Sequence, residues 1–194
     1  MAHDSYKIIL TPARHLYAPL ATTLPADSLA AGGAWPSGWV DLYDTQEPTK
    51  ITWTIEKFIR YVEQSLAPRR TWMIKREGQV ETVLSEFSMT NLSVAWDGSV
   101  AITSPGPGVT GKEVWTPPTG VFMTDRMWGI EGSYVSSAGN THPIRVILYK
   151  VNVESGGGLT VGKSENVGIP LKIQGMDDDS GNHMTITKIT APAT

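Results

Sequence analysis

The most prominent pattern in the chain is a long alternation of apolar and polar residues that begins at Lys50. One face is apolar, and the other is mainly polar but includes Phe58 and Val62. The apolar face carries Ile51, Trp53, Ile55, Ile59 and Tyr61. Such an alternation over about 13 residues predicts a strand more than twice the usual length. A short connection with Pro68 and a second extended stretch follow it, so we predict a long hairpin arm over residues 51–87.

The periodicity changes after the arm. Thr90 is suited to cap a helix, Leu92 and Trp96 lie four residues apart on one helical face, and Gly98 is placed to end it. We therefore predict a short helix over residues 90–97. Residues 104–120 contain four Pro and four Gly, which predicts a long irregular connection.

The last third of the chain alternates in shorter stretches separated by turn residues. We predict an antiparallel meander over residues 127–190, with strands that begin at Met127, Pro143, Leu159 and Met184. The first 49 residues predict edge strands near 7–10 and 15–20, followed by a Gly/Pro/Trp loop. This order predicts a mainly β fold in a single domain, 1–194: an antiparallel sandwich or barrel with one short flanking α-helix and a long hairpin arm.

Composition excludes several kinds of chemistry. The chain has 194 residues and no Cys, so a disulfide framework, a thiolate zinc site and a cysteine nucleophile are excluded. No apolar run approaches the roughly 18 residues of a membrane span, and no signal peptide is recognisable. We expect no membrane insertion by this chain, and synthesis and folding in a cytoplasm.

The net charge of −3 is unevenly distributed. Residues 1–49 carry two basic and five acidic groups, whereas residues 50–81 carry seven basic and four acidic groups. The basic excess therefore lies on the arm, with Arg69, Arg70, Lys75 and Arg76 near its turn. Three excess charges over some thirty residues are too few to favour a nucleic-acid site. We expect the arm to dock onto an acidic neighbour.

One segment partly matches a phosphate-binding loop. Residues 106–112 fit the pattern GxxxxGK, but Glu113 stands where a hydroxyl group should bind magnesium. Pro107 removes a backbone N–H, and Pro117 and Pro118 forbid the helix that should face the phosphate. We interpret the segment as a surface loop.

Candidate metal and catalytic residues are equally weak. The run Asp177–Asp179 resembles the start of a calcium loop, but the acidic ligand at position twelve is replaced by Lys188. We interpret residues 177–183 as a solvated hairpin loop. The four His are scattered and do not have the spacing of a zinc site or a triad. We predict no catalytic residue, no metal and no cofactor, so the protein is not expected to be an enzyme.

The chain contains seven Trp, which is many for its length. Trp supplies apolar area to a core, anchors an interface, or forms a platform for a sugar ring. We favour a division between core and interface. A carbohydrate-binding β-sandwich remains an alternative.

Ordered segments along the chain point to a family. They are Leu16-Tyr-Ala-Pro-Leu20, Leu24-Pro-Ala-Asp27, Trp39-Val-Asp-Leu42, Glu47-Pro-Thr-Lys50, Val62-Glu-Gln-Ser-Leu-Ala-Pro-Arg-Arg70, Glu81-Thr-Val-Leu-Ser-Glu86, Asn91-Leu-Ser-Val-Ala-Trp96, Trp128-Gly-Ile-Glu-Gly-Ser-Tyr134 and Ile169-Pro-Leu-Lys-Ile173. In this order, from about residue 8 to the end, they resemble the major tail tube proteins of long-tailed bacteriophages with non-contractile tails.

The resemblance implies a structural virion protein of two antiparallel sheets and one helix. Copies would form hexameric rings, stacked into a tail tube through which DNA passes into the host. Its partners would be other copies of itself, the tape measure protein, the tail terminator and the tail-tip or baseplate proteins. Double-stranded DNA would pass transiently without specific binding, and assembly would take place in the host cytoplasm. A tail-tip or baseplate adaptor of the same fold remains an alternative.

We expect the self-assembly interface to use two parts of the chain. The arm would dock on acidic residues of an adjacent copy, and the helix would pack against the sheet or a neighbour. The predicted interface residues are Arg69, Arg70, Trp72, Lys75, Arg76, Leu92 and Trp96.

Overall fold

The computed structural model describes residues 13–43, 45, 48–62, 65–136, 139–155, 158 and 167–190. This part of the chain contains ten strands and one short helix. The elements are β1 (Arg14–Pro19), β2 (Val40–Asp41), β3 (Lys50–Val62), β4 (Ser65–Leu84), α1 (Met89–Ala95), β5 (Ser99–Thr103), β6 (Lys112–Thr116), β7 (Arg126–Val135), β8 (Thr141–Ser155), β9 (Ile169–Met176) and β10 (Met184–Lys188). The predicted mainly β, antiparallel fold with one short helix is confirmed.

Eight strands form one antiparallel sheet in the order β2-β1-β7-β8-β9-β4-β3, and β10 also pairs with β8. The long strand β8 allows this branching: its residues 144–148 pair with β10, and its residues 150–155 pair with β9. β5 and β6 form a separate two-stranded sheet. Among the strands of the described chain, β9 is therefore the one that links the hairpin β3–β4 to the rest of the sheet, and Leu84 of β4 also forms an isolated bridge with Thr45.

The centre of the sheet is covered on both faces. Trp128 and Leu148 belong to a core cluster that includes Val94 and Ala95 of α1. The alternate residues Met127 and Ile147 belong to a second cluster, which includes Trp35 of the N-terminal loop. Because both faces are covered, β7 is buried almost continuously rather than at every second residue.

A buried ion pair ties the N-terminal loop to this second face. Glu131 and Arg145 lie directly opposite each other on β7 and β8. Arg145 Nε donates to Glu131 Oε2 at 2.8 Å, and its other guanidinium nitrogens donate to the carbonyls of residues 26 and 29. The backbone N–H of Gly32 and the indole N–H of Trp35 also donate to Glu131. The carboxylate thus organises a loop that does not pair with a strand of the described sheet.

The helix begins and ends differently from the prediction. It spans Met89–Ala95, and Ser88 rather than Thr90 caps it, since the Ser88 hydroxyl accepts the N–H of Asn91. The left-handed residue after the helix is Asp97, with φ of 49°, rather than Gly98. Gly98 is instead needed for close packing, because a Cβ there would collide with the Trp115 ring of β6.

The prediction of a long irregular connection over 104–120 is wrong for residues 112–116, which form a strand. β6 lies within it and pairs with β5 from Ser99↔Thr116 to Thr103↔Lys112. The turn is tight, since the N–H of Gly106 donates to Val109 O and the N–H of Val109 donates back to Gly106 O. Because β6 has only five residues and lies among Pro and Gly residues, its strand pattern is not recognisable in the sequence.

Two other predicted strands fall partly or wholly outside the described residues. Residues 7–10 lie outside them, as do residues 159–166 at the start of the strand that we expected from Leu159. The observed strand β9 begins at Ile169. Among the described residues, no helix is both long enough and apolar enough to cross a bilayer.

Candidate self-assembly interface

The hairpin β3–β4, which we call the arm, extends beyond the sheet. Its register runs from Lys50↔Glu81 to Arg60↔Arg70 and beyond. β9 supports β4 only over Gln79–Leu84. At about 3.3 Å per residue, the ten residues of β3 beyond Thr52 project about 30 Å as a two-stranded ribbon. No strand in the described part of the chain pairs with the outer edge of β3.

One face of the arm continues the core surface of the sheet past the point where the core ends. Ile51 lies opposite Val80, which is fully buried, yet Ile51 itself is 39% exposed. Trp53 and Ile55 follow on the same face and are exposed to a similar degree. The apolar alternation of β3 therefore produces a surface that the described part of the chain covers only in part, where the ring of His183 packs against Trp53. Apolar surface of this kind is typical of an interaction site.

A β-bulge separates the base of the arm from its outer part. The pairing shifts from Glu56↔Lys75 to Lys57↔Met73, which leaves Ile74 as the extra residue on β4. Bulges bend a strand and increase its twist, and they also discourage uncontrolled pairing at an edge.

Beyond the bulge, aromatic and cationic side chains meet on the second face. Phe58 lies opposite Trp72, with ring centroids 5.7 Å apart, and the guanidinium of Arg70 lies over the Trp72 ring. Arg60 is directly opposite Arg70. Phe58 is 54% exposed. We call Phe58, Arg60, Arg70 and Trp72 the distal cluster.

Within the described part of the chain, the distal cluster places two like charges opposite each other and leaves its aromatic rings partly exposed. Like charges directly opposite each other in a strand pair are destabilising, and Arg60 and Arg70 are such a pair. The residues that contribute most to binding in protein interfaces are enriched in aromatic residues and Arg, and the distal cluster has this composition. The arrangement is suited to an apolar partner surface that carries negative charge.

The base of the arm is held by its own chain. Arg76 donates to Asp177 Oδ1 at 2.9 Å and to the carbonyl of Gly181 at 3.1 Å. Lys75 forms an ion pair with Glu77, and this hydrogen bond raises the pKa of the lysine. Two of the predicted interface residues, Lys75 and Arg76, therefore lie in ion pairs within the chain.

His183 fills the space where the arm leaves the sheet. Its ring packs edge to face against Trp53, with centroids 5.0 Å apart. A Cβ on Gly78 would lie 3.0 Å from this ring, and one on Gly175 would lie 2.7 Å from it. Burial lowers the pKa of His183. This contact is not predicted from the sequence, although a glycine within a strand is a signal of close approach.

The remaining predicted interface residues are placed as follows. Leu92 is only 6% exposed within the chain, and Trp96 packs against Trp115 of β6 with ring centroids 5.5 Å apart. The side chain of Arg69 lies outside the described part of the structure. The structure therefore brings Arg70 and Trp72 together on the exposed arm, and it adds Phe58 and Arg60.

Nothing in the described part of the chain resembles a metal centre. No group of three or more potential ligand side chains among the described residues is arranged to hold an ion. In the loop 177–183, Asp178 accepts the backbone N–H groups of Ser180 and Asn182, as a closed hairpin loop requires. The side-chain amide of Asn182 donates to the same carboxylate and lowers the pKa of Asp178.

An arm exposed on both faces is typical of proteins that contact other chains. A family model described as "Phage tail tube protein" matches residues 1–192. The chain therefore belongs to the phage tail tube protein family, which confirms the predicted resemblance to phage tail tube proteins. It is a structural component of the phage tail and assembles with itself into a tube. A comparison with curated proteins gave no match.

Proposed function

We propose that this chain forms the tail tube of a long-tailed phage with a non-contractile tail, as stacked hexameric rings around a DNA channel. Residues 1–194 act as a single tail-tube domain, and the family match over residues 1–192 supports this. The observation that carries the proposal is the arm: its apolar face is more than one-third exposed at Ile51, Trp53 and Ile55, and no strand in the described part of the chain pairs with its outer edge. Contact with another copy would cover both.

The arm also suits the symmetry of a ring. When an arm docks on a different surface of the next copy, the contact is heterologous, and such contacts form a ring when the rotation between copies closes. If each copy contributes four strands to an inner barrel, six copies give about 24 strands. At about 4.8 Å between strands and a tilt near 45°, the barrel has a backbone diameter of about 50 Å. A DNA duplex passes through such a channel.

The charge of the chain is compatible with DNA passage. Six copies at −3 give −18 per ring, so the ring as a whole repels phosphate rather than binding it. DNA is therefore a transient occupant without a specific site. The tape measure protein, the tail terminator and the tail-tip or baseplate proteins are the other proposed partners, and genome ejection through the channel is the proposed role. Assembly takes place in the host cytoplasm.

Within this proposal, Arg69, Arg70 and Trp72 contact the adjacent copy. Lys75 and Arg76 stiffen the base of the arm through their ion pairs, and Leu92 and Trp96 hold the helix that supports the sheet. The protein has no catalytic role in this scheme.

Negative-stain microscopy of the purified full chain tests the proposal. We expect tubes with a central channel for the wild-type chain. Charge reversal at Arg69 and Arg70 (R69E/R70E) should block tube formation while circular dichroism shows a folded monomer. Lys112→Glu, an exposed cation of β6, is the matched control and should leave tubes intact.

The same images separate the alternatives. Single rings without long tubes indicate a tail-tip or baseplate adaptor. Monomers that persist at high concentration contradict the tube, and glycan binding by such monomers would identify a carbohydrate-binding module. Normal tubes from R69E/R70E would show that the arm does not make the essential contact.

A further inference from the structure

We infer that the distal cluster of the arm inserts into a particular pocket of an adjacent copy, formed between residues 20–24 and the loop 178–182. This inference rests on the proposed self-assembly through the arm and specifies its acceptor. The pocket has a volume of about 390 Å³. Its position is defined by the end of β1 on one side and the β9–β10 loop on the other.

The pocket has an apolar floor. Leu20, Leu24 and Met127 line it, together with the ring of Tyr149. Leu20 and Leu24 are both more than one-third exposed. This volume lies within the range of pockets that hold small aromatic ligands, so it is large enough to receive an aromatic side chain of the distal cluster. Tyr149 also lines the pocket, and a tyrosine ring is a favourable stacking partner for a guanidinium.

The wall of the pocket is negatively charged. Asp178 and Asp179 line it with Lys150, and Lys150 is paired with Asp125 at 3.1 Å. Three carboxylates and one ammonium give a local charge of −2. The distal cluster carries Arg60 and Arg70, a charge of +2. Contact between the distal cluster and the pocket would neutralise the charge of each and would relieve the repulsion between the guanidinium groups of Arg60 and Arg70.

The acceptor belongs to a second copy rather than to the same chain. Arg76 already fixes the base of the arm to Asp177 and Gly181, beside the chain's own pocket. Phe58 lies three residues beyond Ile55, the residue opposite Arg76, so the cluster is about 10 Å or more farther along a rigid ribbon. Phe58 is 54% exposed, so the cluster is not buried against the described part of its own chain.

A reciprocal charge swap tests the inference. Arg70→Glu alters the arm, Asp179→Arg alters the pocket, and the double variant exchanges the two charges. Asp178 is left unchanged because it closes its own loop. We expect each single variant to raise the critical concentration for tube formation about tenfold or more, and the double variant to recover most of this loss. Glu113→Arg, an exposed acid of β6, is the control and should behave like the wild type.

The outcomes separate this inference from the proposed function. If R70E blocks tubes while D179R assembles like the wild type, the acceptor lies elsewhere and the inference is wrong, but the arm retains its role. If neither variant changes assembly, both the acceptor and the role of the arm are wrong. Two impaired single variants without recovery in the double variant also contradict direct pairing.

Cross-linking gives a second test if a charge variant fails to fold. Since the chain has no Cys, a variant with Phe58→Cys and Thr22→Cys contains only the introduced thiols. Mild oxidation of its assemblies should produce a ladder of covalent oligomers on denaturing gels. Each single-Cys variant should yield dimers at most, and a double variant that also stops at dimers would contradict the inference.

Discussion

Replacing Glu131 by Gln should strongly destabilise the folded chain. The side chains of Glu131 and Arg145 are each only 3% exposed. Glu131 accepts hydrogen bonds from Arg145 Nε, the Trp35 indole and the Gly32 backbone, at 2.8, 3.1 and 2.9 Å. Gln keeps the size of the side chain but removes its charge, and it turns an NH2 group toward a donor. The guanidinium of Arg145 is then buried without a counter-ion.

The magnitude follows from that uncompensated charge. Breaking a buried ion pair by removing one partner costs about 3–5 kcal/mol. With a urea dependence of about 2 kcal/mol per molar for a chain of this size, the unfolding midpoint of E131Q should fall by about 2 M. Urea unfolding of the monomer, followed by Trp fluorescence, measures the shift.

Glu81→Gln provides a matched control. Glu81 also lies directly opposite a cation, Lys50, in an antiparallel pair, with 3.1 Å between their charged atoms. Its side chain is 43% exposed, so the same substitution should cost less than about 1 kcal/mol. If E131Q and E81Q lost the same free energy of unfolding, burial would not determine the cost of losing the charge, and this reasoning would be refuted.

Three further predictions concern the buried His15, the helix cap Ser88 and the tightly packed Gly98. Burial in the folded chain lowers the pKa of His15 to about 4. As the pH falls, His15 is therefore protonated in the unfolded chain before it is protonated in the folded chain. Between pH 6.5 and pH 4, the unfolding free energy of the wild type should therefore fall by about 3 kcal/mol more than that of His15→Gln. Urea midpoints measured across that pH range test this. In urea unfolding, Ser88→Ala should lower the free energy of unfolding by about 1 kcal/mol and Thr90→Ala by less than about 0.5 kcal/mol. A larger loss for Thr90→Ala would instead support Thr90 as the cap, as the sequence predicted. Gly98→Ala should cost about 1–3 kcal/mol because its Cβ has no room, whereas Gly106→Ala, with nothing within 4 Å of its Cβ, should be nearly neutral in thermal unfolding.

The sequence by itself predicted the features that depend on local periodicity. The alternation from Lys50 identified the long strand, and it correctly placed Phe58 on the face opposite Trp53. The spacing of Leu92 and Trp96 identified the helix, although its cap was assigned to the wrong residue. A capping hydrogen bond depends on the local backbone path, and Ser88 and Thr90 are both capable of making it.

Only the tertiary structure decided which partner each charged residue finds. Arg70 and Arg76 look alike in the sequence, but the bulge at Ile74 and the register of the arm place one over Trp72 and the other on Asp177. Likewise, Arg145 donates to the carbonyl of Ala26, which is 119 residues away in the chain. Pairing between strands is set by register and burial over the whole sheet, and these long-range contacts leave no local pattern in the sequence.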